Sequence, residues 1–515
     1  MKPPRHQPLR RDITRASGDV GGKGAKIGLE TGKRAPDQPP CHQTTIMPAR
    51  AKRITSKRDV ARAVDLAARV FSTYHVGVQQ WTDLLRLDPG YGPGQTFVVE
   101  RGGEFVSQVR VTLRHVRLGS QVGLLGGIGD VATHPAYRER GYASACLEQA
   151  IRFMQEAGCC LSALGTGRLS FYRRLGWEIA VPEYRVLIGS QGPPHEALDG
   201  YGRRRFKFDP DLPAVMALHR GYNANRLLSV ARSEDYWRRQ IEFSTTQPSG
   251  GPWAFGKEDP EAFIVITSRD KSIVAYARAR HTQERHEVVE AAARDRRAAL
   301  ALLAHLAEQY RHRREIIISA PPDSLIADVA LTDCGGQCTV SRSGTMVRII
   351  DLSRLFDLLA PLLSERLCKS ELAMTSGRLC LHTEIGSLGL DWRNGEVAVS
   401  PVARGRRRPS HGSVALPYRG LTQIVTGYRS PASVLEESGR LGAASRLRRA
   451  SAEVDSPLAS REIAGSEPAL TCPERSRRSV AEGRPRAQAG EPGQMRALEV
   501  FFPRVFAHME ALDRF

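Results

Sequence analysis

No apolar run in this chain approaches the roughly 20 residues that an α-helix needs to cross a bilayer, so no membrane-spanning helix is expected. The opening MKPPRHQPLRRD is basic, but no apolar stretch follows it that could serve as a secretory signal. Cysteine is scarce: nine in 515 residues, irregularly placed, which fits a reducing compartment and excludes a disulfide-built scaffold. The phosphate-binding patterns Gly-x-x-x-x-Gly-Lys-Ser/Thr and Gly-x-Gly-x-x-Gly are both missing. What remains is ordinary globular material, 41% apolar and 25% charged, which excludes a collagen and a wholly disordered chain. At roughly 150 residues per domain the length suits about three domains. The expectation is a soluble, cytoplasmic, multidomain protein.

The formal charge of +20 has to be located before it is interpreted. Residues 1–58 carry 14 Lys/Arg against 4 Asp/Glu, and residues 440–494 carry 10 Arg against 7 acids. Thirteen of the 20 charges therefore lie in Gly-, Pro- and Arg-rich segments without apolar period, expected to be solvated tails. A nucleic-acid footprint would be a basic stripe on a folded face or a known motif, and neither is present. No nucleic-acid partner is expected.

Patterned sequence begins just after Met47, which makes that residue a candidate start. DVARAVDLAARVF, from Asp59, places Val60, Val64, Leu66, Ala67 and Val70 close to one helical face. TFVVE and EFVSQVRVTLRHVRL read as strands joined at Gly102-Gly103, and VGLLGGIGDVATH is a further strand ending before Pro135. Leu147, Ala150, Ile151 and Met154 recur at helical spacing up to Gly158. CCLSALGT is a buried strand, and a short helical turn through FYRR precedes Gly176-Trp177. A second α/β unit, 201–345, has ALALLAHLAEQYRH as its clearest helix and EIIISA as its clearest strand, and does not repeat the first unit's glycine motif. A third unit, 346–450, opens with the helix LSRLFDLLAPLL and continues with alternating strands. Residues 1–50 and 451–494 are expected to be disordered, and the patterned 495–515 to be held in place.

The segment that carries chemistry is VATHPAYRERGYA, residues 131–143. Arg138 to Ala143 fits Arg/Gln-x-x-Gly-x-Gly/Ala between a strand and an amphipathic helix. Backbone N–H groups at a helix N-terminus, with the positive end of the helix dipole, form a seat for a pyrophosphate. Gly141 allows close backbone approach, Ala143 keeps the first turn open, and Arg138 and Arg140 supply charge.

This segment resembles the cofactor motif of the GNAT N-acetyltransferases, whose loop binds the pyrophosphate of acetyl-CoA. Phe171-Tyr172-Arg173-Arg174-Leu175-Gly176-Trp177 looks like the ending of such domains. A second GNAT-like unit without the motif, a sterol-carrier-like third unit and a terminal Phe resemble, over roughly 55–450 and 495–515, the enhanced intracellular survival (Eis) family. DLPAVMALHRGYNANRLLSVARSEDYWRRQI and HMEALDRF are the stretches most similar to it outside the first unit. The resemblance implies an α/β (α+β) fold with two GNAT-like mixed-sheet domains (51–200 and 201–345) and a sterol-carrier-like α/β domain (346–450). It also implies a homohexamer, acetyl-CoA as co-substrate, and a small-molecule or lysine amine as acceptor.

Carried to these positions, the resemblance implies that Val131, Ala132 and Thr133 contact acetyl-CoA along a splayed strand. Glu139, Arg140, Gly141, Tyr142, Ala143 and Ser144 would wrap the pyrophosphate with Arg138, and Gly167 and Arg168 would touch the cofactor beyond the next strand. Glu139 departs from the basic residue expected inside an anion seat, so its side chain is expected to point away while its amide takes part. Tyr172 would be the general acid and the α-carboxylate of Phe515 the general base. Thioester aminolysis needs the amine deprotonated and the departing thiolate protonated, and a Tyr with an ordinary pKa of about 10 stays protonated at neutral pH. Without the motif, Tyr172 reads as a packed residue and Phe515 as a frayed end. Cys334 and Cys338 lack a second ligand pair, so no metal is expected. Cys159-Cys160 read as core, and His134 as a loop residue. A lipid- or peptide-binding protein with a degenerate GNAT half is the rival reading.

Overall fold

The computed structural model describes residues 50–74, 77–189, 195–246, 262–281, 286–311, 315–402, 413–438, 492–505 and 507. The basic head (1–49), residues 439–491 with nearly all of the expected insertion, and Phe515 lie outside them. No helix among the described residues is long and apolar enough to cross a membrane.

The first half runs β1 (Lys52–Ile54), α1 (Lys57–Val70), α2 (Val78–Leu87), β2 (Thr96–Arg101), β3 (Glu104–Leu118), β4 (Gln121–Thr133), α3 (Tyr142–Glu156), β5 (Leu161–Gly165), α4 (Leu169–Arg174) and β6 (Glu178–Gly189). Ser56 starts α1 by accepting from the Asp59 N–H at 3.0 Å. Of its buried residues, Ala63 and Leu66 pack on the sheet, and Val64 and Ala67 on Trp81 of α2. Gly102 and Gly103, at φ 58° and 81°, turn β2 into β3 with the twist a tight hairpin needs. β3 is buried along most of its length rather than on alternate residues, because helices cover both faces of the sheet.

The second half repeats the same element order: β7 (Gly202–Arg205), α5 (Phe208–Tyr222), α6 (Glu234–Thr246), β8 (Phe263–Thr267), β9 (Ile273–His281), β10 (His286–Ala293), α7 (Arg296–Gln309), β11 (Glu315–Ser319), α8 (Leu325–Thr332) and β12 (Gln337–Ile349). Trp81 and Trp237 hold the fourth position of α2 and α6. In both halves a buried arginine on the third strand pairs with an acid at a bulge in the fourth, Arg110 with Asp130 and Arg278 with Glu290. These correspondences are spatial, and no repeated sequence motif announces them.

The described strands of both halves join in one twelve-stranded mixed sheet, β1-β2-β3-β4-β5-β12-β6-β11-β10-β9-β8-β7. Its centre is an exchange. The end of β12, 345–349, pairs antiparallel with β5 of the first half, while the end of β6, 185–189, pairs with β11 of the second. The expected boundary at 345/346 falls within β12.

The third unit comprises α9 (Leu352–Cys368), β13 (Ser376–Thr383), β14 (Gly386–Arg393), β15 (Glu396–Pro401), β16 (Ser413–Ala415), α10 (Tyr418–Val425), α11 (431–438) and α12 (Pro492–Phe501). Its strands form a four-stranded sheet, β15-β14-β13-β16. Leu355, Phe356, Leu359, Phe501 and Phe502 bury there in one core with Val116, Leu125 and Leu161 of the first half. α12 opens three residues before the expected 495.

Candidate active site

β4 and β5 pair in parallel only where Leu125, Gly126 and Gly127 face Leu161, Ser162 and Ala163. Beyond that point β4 runs on to Thr133 and the two strands part, leaving an opening in the sheet. On the other side of β4 the register slips, so that Asp130 and Val131 oppose Val109 alone. Asp130 sits at φ 52°, and its carboxylate accepts from Arg110 Nε at 2.5 Å. Asp88 bridges Arg110 (3.4 Å) and Arg114 (2.7 Å), all with side chains no more than 5% exposed. Burial alone would raise the Asp88 carboxyl; Arg114 and Arg110 outweigh it and hold the group below its ordinary value.

After β4, the His134 Nδ1 accepts from the Ala136 N–H at 3.3 Å and caps a short turn, a structural use of the expected loop histidine. Glu139 (φ 64°) and Gly141 (φ 75°) are both left-handed. Gly141 is the N-cap of α3 and offers no side-chain acceptor, and the helix's first bond runs from Ala145 N to Gly141 O at 3.0 Å. The N–H groups from Glu139 to Ser144 have no acceptor among the described residues. A Cβ at Gly141 would meet nothing within 4 Å, so glycine is needed there for its positive φ and the space before the amides is open.

That space is a cavity of about 820 Å³. Val131 and Thr133 line it from β4, and Arg138, Glu139, Gly141, Tyr142, Ala143 and Ser144 from the loop and α3. Arg168 and Tyr172 close the far side. Three expected residues stand apart from the lining. The Ala132 side chain is fully buried with Ile54, Leu66 and Val98 on the opposite face, as strand alternation requires, so only its backbone could reach a ligand. Arg140 stacks over the Tyr137 ring at 5.3 Å, and Gly167 is exposed beside Arg168. Val70, Phe71, Thr73, Phe171 and Arg174 also line the cavity, though the sequence did not mark them as site residues. Arg174 and Phe171 stood within the quoted aromatic motif. The apolar stripe of α1 gave no hint that its end reaches a cavity.

Tyr172 is 7% exposed and stands edge-on to Phe171 (4.9 Å) and Trp177 (6.3 Å). Burial pushes its hydroxyl up to about 12, against the opposing charge of Arg168. Its hydroxyl makes no hydrogen bond among the described residues. The arrangement joins an open anion seat to a phenol that keeps its proton.

The corresponding helix of the second half is closed. β10 and α7 are joined by Arg294 and Asp295 alone, and the Asp295 carboxylate accepts from Ala298 N at 2.9 Å. A fixed negative group thus sits where an anion would bind.

Phe515 lies outside the described residues, so its carboxylate has no observed position. Ala507 is buried in the third unit's core, and Val505 packs against Gly427, next to Tyr428, which packs on the core cluster that holds Tyr172.

Residues 51–180 match the family model described as an acetyltransferase (GNAT) domain. No curated protein sequence matches the chain. Among solved structures, a GCN5-related N-acetyltransferase from Kribbella flavida is similar at TM-score 0.60 and 17% identity, over 90% of this chain and 98% of that one. A probable N-acyltransferase from Enterococcus faecalis is similar at TM-score 0.57 and 17% identity, over 75% and 91%. Eis1 from Mycobacterium abscessus is similar at TM-score 0.52 and 16% identity, over 76% and 92%. At these identities the likeness is one of fold. The chain carries, in residues 51–180, a GNAT acetyltransferase domain.

Proposed function

We propose that the protein moves the acetyl group of acetyl-CoA to a primary amine, an aminoglycoside-like polyamine or a protein lysine, by direct attack in a ternary complex. One observation carries this reading: a single cavity joins the uncapped, glycine-headed N-terminus of α3 to the protonated hydroxyl of Tyr172. The amides from Glu139 to Ser144 receive the pyrophosphate, with Arg138 and Arg140 adding charge. The β4 edge at Val131–Thr133 holds the pantetheine arm in the splay, and Gly167 and Arg168 touch it from beyond β5. Tyr172 donates its proton to the departing thiolate.

In the same reading the Phe515 carboxylate takes the proton of the attacking amine. The order of two GNAT-like halves and a third unit, together with the likeness to Eis1 over 92% of that chain, supports an Eis-like protein. The reading extends to a sterol-carrier-like third unit, a homohexamer and a cytoplasmic location.

The test is a panel of amines with free CoA as the readout, beside calorimetric titration with acetyl-CoA and light scattering for the assembly. Saturable acetyl-CoA binding with amine-dependent CoA release is expected. Absence of acetyl-CoA binding would overturn the reading and return the chain to the lipid- or peptide-binding alternative.

A further inference from the structure

Arg348 belongs to β12, the strand that the second half lends to the first, where it lies opposite Ser162 of β5. Its Nη1 donates to the carbonyl of Leu175, at the end of α4. The guanidinium stands over the rings of Trp177 (5.4 Å) and Tyr418 (5.9 Å). Gly176, at φ 93°, makes room for it, since a Cβ there would run into both Arg348 and Tyr418. Two short paths lead from this guanidinium to Tyr172. The N–H groups of Leu175 and Trp177 both donate to the Tyr172 carbonyl, at 3.0 and 3.1 Å. The Trp177 ring, pinned by its Nε1 bond to Ser162 Oγ (3.2 Å), contacts both the Arg348 guanidinium and, edge-on, the Tyr172 ring.

The placement is a costly way to hold a fold together. The Nε of Arg348 is buried without a partner among the described residues, and no carboxylate there lies within ion-pairing distance of it. An apolar side chain of similar length would fill the same space without leaving a buried donor unmatched. The geometry instead ties the turn that carries Tyr172 to a strand from the other half.

We propose that Arg348 is a positioning residue for acetyl transfer, contributed by the second half and acting through Tyr172. The proposal rests on the reading of Tyr172 as the proton donor. Displacing a catalytic group by about 1 Å can cost on the order of 10²-fold in rate. The inferred role is tested with the full-length protein in five forms: wild type, R348M, R348K, Y172F and R348M/Y172F. Each is assayed for kcat, for KM with one active amine, and for acetyl-CoA affinity. The expected results are a fall of roughly 10- to 30-fold in kcat for R348M with KM and acetyl-CoA affinity within about twofold. R348K should recover most of the loss, because an ammonium can still donate to the Leu175 carbonyl. In the Y172F background, R348M should cost less than about twofold, since the group it positions is gone.

Equal losses from R348M in both backgrounds would show that Arg348 does not act through Tyr172, and overturn the proposal alone. An acetyl-CoA affinity that falls as far as kcat would mean a merely structural role. Wild-type kcat in Y172F would bring down the proton-donor reading itself, and Arg348's role with it. If R348M does not fold, Arg348→Gln replaces it in the same comparison.

Discussion

The Nε of Arg110 lies 2.5 Å from the Oδ2 of Asp130, beneath the bulge that turns Val131 toward the cavity. Both side chains are less than 10% exposed, and Asp88 extends the pair to Arg114. Removing one partner of such a buried pair leaves an uncompensated charge, typically costing about 3–5 kcal/mol. Asp130→Ala should therefore lower the unfolding free energy by about 3 kcal/mol, read from urea denaturation at constant m-value. A loss below about 1 kcal/mol would mean that the pair is solvated in the working protein.

Gly141→Ala and Gly141→Val test the anion seat by conformation. A side chain at Gly141 meets open space, so the penalty comes from its φ of 75°, about 1–2 kcal/mol for an L-residue. Relaxing the turn would redirect the amides of α3. Acetyl-CoA affinity is expected to fall at least about tenfold in both variants, with the circular dichroism spectrum unchanged. Unaltered affinity would remove the seat from this loop.

Tyr172→Phe removes only a proton donor. Turnover should drop by about 10²–10⁴-fold while acetyl-CoA binding holds within a few-fold. Because burial raises the hydroxyl to about 12, its acid form persists across the workable alkaline range. The wild-type kcat should accordingly show no alkaline fall near pH 10, where an unperturbed tyrosine would lose its proton. A fall centred there would count against Tyr172 as a buried donor.

The Phe515 proposal makes an asymmetric prediction. Adding one or two residues after Phe515 converts its carboxylate into a neutral amide and moves the new charge away. Turnover should fall by about 10²–10⁴-fold, whereas an N-terminal tag should leave it nearly unchanged. Equal kcat in the two tagged proteins would reduce Phe515 to a packing residue.

Residues 50–189 contain the whole family match but lack β12. Expressed alone they would present β5 and β6 as unpaired edges, which invite association with other chains. Aggregation on size exclusion is expected, with recovery when residues 190–515 are supplied as a second fragment. A monodisperse, cooperatively unfolding 50–189 would contradict the importance of the strand exchange.

Much of the local structure was legible in the sequence. The run EFVSQVRVTLRHVRL coincides with β3, and the helical spacing of Leu147, Ala150 and Met154 before Gly158 marks the buried face and end of α3. Gly141 stood out because a glycine at a strand–loop–helix junction has a backbone reason to be there. What stayed hidden was long-range. Apolar periodicity says that β12 is buried but not which strand it pairs with, so its exchange into the first half had no local signature. Nothing local marks Arg110 and Arg114 as interior, because their partner Asp88 lies more than twenty residues away in sequence. Ala132, inside the motif, packs its side chain away from the cavity because the motif continues a strand whose residues alternate faces.

The exchanged strand also sets a schedule for synthesis. β5 leaves the ribosome well before the residues 345–349 that complete its edge. At about 5–20 residues per second the ribosome needs roughly 10–40 seconds to make the intervening chain. Throughout that interval the nascent first half has a complete glycine loop and an unfinished sheet. Arg348 arrives with the same strand, so the turn bearing Tyr172 is braced only when the sheet closes. The order of translation thus places closure of the sheet after synthesis of both halves, and a chain stopped before residue 345 would carry the glycine loop but not the strand that braces Tyr172.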